Sequence, residues 1–230
     1  MYDVVKTYEK VSAEWVEKFS KIEESASINE CMEENGAFQH DFRPVWPGTR
    51  AVGTALTVRA RAGDNLIIHK AITLLKPGDV LVITCDGFQE SGGMFGGIMS
   101  TVAHKRGARA LIIDGCVRDT MLMREIGFPV WSRGVNIKKS TKLTGGQINV
   151  PIVIGGVLVN PGDLIFADND AVVCIPKSSV ASVYEKTMAR EAEEEARLLQ
   201  MEKGEGVTTF NAAFQAAYAA LGLLEEPDPA

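Results

Sequence analysis

Apolar residues near the start of the chain recur with a period close to 3.6 at Val11, Trp15, Phe19 and Ile22, which predicts a helix over Val11 to Glu24. A second short helix is expected after Ser27. The pattern then breaks into short apolar runs bounded by turn residues. Runs of strand length lie at Ala51 to Val58, Val80 to Thr84, Ala108 to Ile113, Val130 to Trp131, Ile152 to Ile154, Val157 to Leu158, Leu164 to Ala167 and Ala171 to Ile175. Asn65 to Leu75 and Ile98 to Arg106 return to helical spacing between strands, so the centre reads as mixed α/β. Lys76-Pro77-Gly78-Asp79 and Asn160-Pro161-Gly162-Asp163 are Pro-Gly turns that read as two equivalent hairpin entries. Asp168, Asn169 and Asp170 sit between two strand runs and read as a tight turn rather than a cation site. From Ser178 to Lys203 the chain reads as one long helix, with serines at its start, Gly204 near its end and Val180, Val183, Met188, Leu198 and Leu199 available for one buried face. A last helix, Thr209 to Leu224, carries Phe210, Phe214, Tyr218 and Leu221 on one face, and the tail EEPDPA is expected to be disordered.

Composition narrows the classes. At 230 residues and 46% hydrophobic content the chain is long and apolar enough for one substantial core. It has no apolar run of about 18 residues, and MYDVVKTYEK is too polar for a signal peptide, so a soluble cytoplasmic protein without membrane partners is expected. Cys31, Cys85, Cys116 and Cys174 lack CxxC spacing and read as free thiols, several of them buried. His40, His69 and His104 show no HxH or HxxxH spacing. A net charge of -6 argues against nucleic acid as a partner.

The candidate chemistry lies in SGGMFGGIMSTVAHKRGARALIIDGCVRD, from Ser91 to Asp119. Gly92, Gly93, Gly96 and Gly97 crowd into six positions just before the Ile98 helix, so backbone N–H groups and a helix N-terminus face the same space, an arrangement suited to a carboxylate or phosphate. The apolar strand ARALIID ends at Asp114-Gly115, and Arg118 and Asp119 follow its carboxyl end, where open α/β sheets place ligands. Arg118 offers a planar fork for a carboxylate, and Asp119 a hard oxygen for Mg²⁺ or Mn²⁺. A Schiff-base mechanism is disfavoured, because Lys70, Lys76 and Lys105 show no apolar enclosure.

This stretch resembles the RraA-like family, which includes the 4-hydroxy-4-methyl-2-oxoglutarate and 4-carboxy-4-hydroxy-2-oxoadipate aldolases and the regulator of ribonuclease E activity. Segments at Arg43 to Val58, Asp64 to Ile83, Gly127 to Asn136 and Val157 to Pro176 resemble family segments in family order. The resemblance implies a single domain over residues 1–230, with N-terminal helices in 1–40, an α/β core in 41–177, C-terminal helices in 178–224 and a tail in 225–230. It implies a layered β/β/α sandwich similar to the phosphohistidine swivelling domain. It also implies a homotrimer or hexamer, with the C-terminal helices contributing subunit contacts.

Carried over by position, the resemblance implies that backbone amides of Gly96, Gly97, Ile98 and Met99 hold the carboxylate of a small 2-oxo acid. Arg118 then contacts substrate and Asp119 binds the divalent metal, while Asp114 and Gly115 shape the turn. Many aldolases of the family carry an acid where this chain has Gly97. A second acid comes from a neighbouring subunit's C-terminal helix, and among Glu191, Glu193, Glu194 and Glu195 the favoured candidate is Glu194, acting through water. The implied activity is cleavage of a 4-hydroxy-2-oxo diacid to pyruvate, together with oxaloacetate decarboxylation through the same enolate. The alternatives are a non-catalytic regulator that docks on a ribonuclease or another enzyme, and a lyase for a different hydroxy-oxo acid, with Met94 and Phe95 as an apolar pocket wall.

Overall fold

The computed structural model describes residues 3–33, 35–85, 92–207 and 210–223; Ser91, Thr209, Leu224 and the 225–230 tail lie outside the described residues. In chain order the first half contains β1 (Asp3–Val4), α1 (Ala13–Phe19), α2 (Ser25–Glu30), β2 (Arg43–Pro44), β3 (Ala51–Arg59), α3 (Leu66–Ile72), β4 (Asp79–Thr84), β5 (Gly93–Phe95) and α4 (Gly97–Lys105). The second half contains β6 (Ala110–Val117), α5 (Thr120–Glu125), β7 (Val130–Val135), β8 (Gln147–Ile148), β9 (Ile152–Ile154), β10 (Val157–Val159), β11 (Leu164–Ala167), β12 (Val172–Ile175), α6 (Val180–Glu202) and α7 (Gln215–Leu221). The chain divides into two compact units, Met1–Thr187 and Met188–Ala230, and the boundary falls within α6. None of the described helices is long and apolar enough to cross a membrane.

The first unit is built on four parallel strands in the order β3-β4-β6-β7. β11 pairs antiparallel with the start of β3 and β8 with its end, so β3 has a different neighbour at each end of one edge. Because successive side chains in a strand point to opposite faces, alternate residues feed different cores. Leu81, Ile83, Leu111 and Ile113 pack with α3 and α4 residues such as Ile68 and Ala103 on one face. Val80, Val82, Ala110 and Ile112 pack on the other, against Phe38, Phe42, Trp131 and the separate β9-β10 hairpin. A third cluster joins α1, α2 and the start of α6 to β11 and β12. The result is the layered β/β/α arrangement expected for the family, with strands buried on both faces as parallel strands require.

Several boundaries differ from the pattern-based expectations for identifiable reasons. The first helix stops at Phe19, because Lys21 and Ile22 tighten into i to i−3 bonds with Lys18 and Phe19 at 3.2 Å and Glu24 is extended. Ile22 is nonetheless fully buried, so the apolar period marked a shared core rather than one continuous helix. The Pro-Gly turns are not hairpin entries: one links α3 to β4 and the other links β10 to β11, which lie in different sheets. Both are closed the same way, with Asp79 accepting the Lys76 N–H at 2.9 Å and Asp163 the Asn160 N–H at 2.8 Å. The Asp168 carboxylate closes its own turn at Asp170 and Ala171 and also accepts the Ser25 N–H at 2.8 Å, capping α2 from a distant part of the chain. In α6, Val180 and Val183 are buried, whereas Met188, Leu198 and Leu199 are exposed.

The segment that borders the glycine loop is held by Asp64. Its carboxylate accepts the Thr141 hydroxyl at 2.7 Å, the Leu143 N–H at 2.5 Å and the Leu66 N–H at 3.1 Å. Burial alone would raise this carboxyl, but those donors and the Thr144 N–H outweigh burial and hold it down to about 2, against the ordinary 3.8. A depressed carboxyl stabilises the fold fully above its unfolded value, and that contribution disappears as pH falls through the folded value. Asp64→Asn is therefore expected to be less stable than the wild type at pH 5 and to approach it toward pH 2. The closing difference should be on the order of 1 to 2 kcal/mol in urea denaturation. A difference that stays flat with pH would contradict this account of Asp64.

Candidate functional site

The site forms where β6 runs further than its apolar pattern suggests. Asp114 and Gly115 do not make a turn: they lie inside β6, where the Asp114 carboxylate accepts the Thr84 hydroxyl at 2.8 Å and the Cys85 N–H at 2.5 Å. Gly115 lets the Cys85 sulfur approach, since a Cβ there would stand 2.5 Å from it. The strand therefore continues to Val117, its last residues paired with β5 on one side and β7 on the other. The Arg118 N–H donates to the Phe95 carbonyl at 2.9 Å, which sets Arg118 and Asp119 beside the end of β5 and the start of α4.

Asp119 takes a left-handed conformation, φ 62° and ψ 38°, uncommon outside glycine, Asn and Asp. This turns the chain into α5 and points the carboxylate at α4. Oδ2 accepts the Gly97 N–H at 2.9 Å. Gly96, at the cap position of α4, has no side chain to offer, so a carboxylate from another element supplies the cap. Arg118 Nε lies 3.9 Å from the same oxygen, and its guanidinium makes no other ion pair among the described residues. The two side chains are 39% and 52% exposed, enough for both to meet a ligand.

The glycines serve close approach more than backbone freedom. Only Gly92 has a positive φ, at 116°. A Cβ at Gly96 would lie 2.8 Å from Asp119 Oδ2 and 3.1 Å from Arg118 Nε, and one at Gly93 would lie 3.1 Å from the Arg118 stem. A Cβ at Gly97 would meet Leu122 Cδ2 at 2.5 Å. The Arg118-Asp119 pair thus rests directly on the loop backbone.

Of the amides expected to face a ligand, the Gly97 N–H is already bonded to Asp119. Ile98 and Met99 occupy the first turn of α4, where N–H groups have no carbonyl one turn back within the helix. The Ile98 side chain is 82% exposed, while Met99 is buried. Met94 and Phe95 are fully buried in the core and do not form a pocket wall; the exposed apolar groups near the pair are Ile98, Met121 and Leu122. Cys116 is buried in β6, 3.2 Å from where a Cβ at Gly134 would sit. Glu194 lies in the second unit, its carboxylate held by Arg190 at 2.7 Å.

Two polar residues absent from the sequence expectations hold the loop in place. Asn65 Nδ2 donates to the Met94 carbonyl at 3.0 Å, and Ser140 Oγ donates to the Gly93 carbonyl at 3.1 Å. Both side chains are buried, and both bond the β5 carbonyls rather than any amide of the loop. The Asp64-Asn65 pair ahead of a helical run was the available signal, since Asp and Asn favour helix starts. A cavity of about 430 Å³ opens at the opposite ends of the strands, between Arg50, His104 and Arg109, and is separate from this site.

The arrangement can bind an anion through Arg118 and the α4 N-terminus, and a hard cation through the remaining oxygen of Asp119. Among the described residues there is no cluster of three or more His, Cys, Asp or Glu placed to hold a metal. A cation held there by Asp119 would have to fill its shell from water and ligand oxygens, as Mg²⁺ does when one or two carboxylates hold it.

The chain has clear relatives. A Halalkalibacterium halodurans protein with the provisional name 4-hydroxy-4-methyl-2-oxoglutarate aldolase is 38% identical over 156 residues, covering 68% of this chain and 74% of that one. The crystal structure of an uncharacterized protein from Pseudomonas syringae pathovar tomato matches with a TM-score of 0.77 at 26% identity, over 86% of this chain and 93% of that one. Streptomyces coelicolor RraAS2, described as an unusual member of the RNase ES inhibitor RraA protein family, matches with a TM-score of 0.74 at 25% identity, over 83% of this chain and 98% of that one. With the family model described as Aldolase/RraA matching residues 21–174, the chain belongs to the RraA-like family.

Proposed function

We propose that this protein is a divalent-metal-dependent lyase that cleaves a 4-hydroxy-2-oxo diacid of the 4-hydroxy-4-methyl-2-oxoglutarate type to pyruvate, and that decarboxylates oxaloacetate at the same site. The observation that carries the reading is the Arg118-Asp119 pair seated on the N-terminus of α4, a guanidinium and a carboxylate sharing one exposed edge. The name of the Halalkalibacterium relative supports it.

In this reading Asp119, which also accepts the Gly97 N–H, would hold Mg²⁺ or Mn²⁺. The bound cation would supply Lewis-acid polarisation of the 2-keto oxygen. Arg118 grips the 2-oxo acid and faces the negative charge that develops as the C3–C4 bond breaks. The first-turn N–H groups of Ile98 and Met99 orient the substrate carboxylate. Glu194 of a neighbouring copy is the proposed second acid, in a homotrimer or hexamer. The cytoplasm is the proposed location.

A second reading has its own support. Ile98, Met121 and Val135 are each at least 60% exposed; Ile98 and Met121 lie in the first turns of α4 and α5, and Val135 pairs with Val117 just before Arg118. Such an apolar surface suits docking on another protein, as a regulator of the ribonuclease inhibitor type would do.

The deciding assay is pyruvate release from 4-hydroxy-4-methyl-2-oxoglutarate and from oxaloacetate, coupled to lactate dehydrogenase, after chelation and with Mg²⁺ or Mn²⁺ restored. Metal-restored turnover well above the spontaneous rate is expected; no turnover on either substrate favours the docking reading. Asp119→Asn keeps an oxygen for the Gly97 N–H and a residue tolerant of the left-handed conformation, so it isolates the charge. It should lower kcat/KM on the order of 10²- to 10³-fold with little change in Tm. Arg118→Gln should raise KM as well as lower kcat. In Gly96→Ala the new Cβ falls 2.8 Å from Asp119 Oδ2, so activity should drop while circular dichroism stays near the wild type. Wild-type activity in Asp119→Asn would remove Asp119 from the site.

A further inference from the structure

A cavity of about 420 Å³ lies between the segment that follows β1 and the turn after α3, with Lys6, Thr7, Tyr8, Lys10, Lys76 and Asn149 in its wall. Asn65 and Leu74 flank α3 at opposite ends. The first holds the glycine loop and the second lines this cavity, so the cavity is distinct from the Arg118-Asp119 site. Its volume falls in the roughly 300 to 1,000 Å³ range of small-molecule pockets.

Positive charge is in excess there. No Asp or Glu is among the described residues that line the cavity. Lys10 is paired with Asp79, a carboxylate 1% exposed that also accepts the Thr54 hydroxyl at 3.3 Å and the Lys76 N–H at 2.9 Å. The ammonium groups of Lys6 and Lys76 make neither an ion pair nor a hydrogen bond among the described residues, which leaves two positive charges uncompensated. The Thr7 and Tyr8 hydroxyls likewise make no hydrogen bond among the described residues. Burial, and then the Asp79 charge, push the Tyr8 phenol up, so it remains a donor.

Asn149 gives a second, independent signal. It is 6% exposed and left-handed at φ 58°. Its N–H donates to the Thr57 carbonyl at 2.8 Å and its Nδ2 to the Val5 carbonyl at 2.9 Å. The Val5 carbonyl needs the NH₂ of the amide, which fixes which way the amide faces. Oδ1 is left buried without a donor. Buried acceptors in native proteins are paired, so this one calls for an O–H or N–H from outside the chain.

We propose that this cavity is a second ligand site, for a small phosphate monoester that carries a free hydroxyl. A monoester is close to a dianion at neutral pH and so matches the two unpaired lysines, whereas a monocarboxylate leaves one charge unmatched. Lysine binds phosphate as a point charge, and the Thr7 and Tyr8 hydroxyls can donate to further phosphate oxygens. The hydroxyl of the ligand supplies the donor that Asn149 Oδ1 lacks.

The test is isothermal titration calorimetry of the full-length wild type and of Arg118→Gln, with ribose 5-phosphate, glycerol 3-phosphate and inorganic phosphate as probes. Both esters are expected to bind more tightly than inorganic phosphate, and equally in the two proteins. Lys6→Gln combined with Lys76→Gln should weaken both esters about tenfold or more, the scale of losing a hydrogen bond to a charged group, with circular dichroism unchanged. Asn149→Gly accepts the left-handed backbone and should erase the advantage of the esters over inorganic phosphate. Ester binding that is unchanged in the double lysine variant, or lost in Arg118→Gln, overturns the site. So does the absence of binding by all three probes at millimolar concentration. Esters no tighter than inorganic phosphate, or an ester advantage that survives Asn149→Gly, overturn the hydroxyl requirement.

Discussion

The hydrogen bond from the Gly97 N–H to Asp119 is the contact around which the site is organised. A helix starts with N–H groups that need acceptors, and α4 begins at a pair of glycines with no side chain to provide one. The acceptor comes instead from the carboxyl end of β6, so the same bond that satisfies α4 fixes where the Asp119 carboxylate sits. α2 follows the same rule: Glu24 at its cap position makes no side-chain bond, and Asp168 caps it from the turn between β11 and β12. Both helices are thus positioned by strand ends remote in sequence, which couples helix placement to completion of the sheet.

That economy has a chemical cost. One carboxylate serves as a helix cap and as a candidate ligand, with a guanidinium leaning on the shared oxygen. The loop glycines are what permit such crowding, because a Cβ at 96 would press on Asp119 and one at 93 would run into the Asn136 carbonyl. The space beside Gly97 is already filled by Leu122, so glycine at 97 and leucine at 122 form one packing unit across α4 and α5.

Much of this was legible in the sequence. Short apolar runs in Val80 to Thr84 and Ala108 to Ile113 named the central strands, and the glycine loop and Arg118-Asp119, which the fold brings together, stood out as candidates because each signal is local. What was missed depends on partners distant in sequence. Asp114-Gly115 has the composition of a turn but stays in the strand because Thr84 and Cys85 bind the carboxylate. Met94 and Phe95, inside a glycine-rich run, read as an apolar pocket wall and are instead a strand buried in the core. Asn65, Ser140 and Leu122 carry no motif; their roles appear only once the loop, the 139–144 segment and α5 are brought together.

The left-handed backbone at Asp119 also limits how this lineage can change. Glycine, Asn and Asp are the residues that accept that conformation at low cost, so drift at this position is confined to a very short list. Each member of the list preserves the entry into α5, and two of them abolish the negative charge. A descendant could therefore shed the carboxylate in one codon change while keeping the same chain path. Of the two, Asn alone keeps an oxygen for the Gly97 N–H, so within a family that holds both aldolases and ribonuclease inhibitors it is the step that would separate charge from scaffold at little cost in folding.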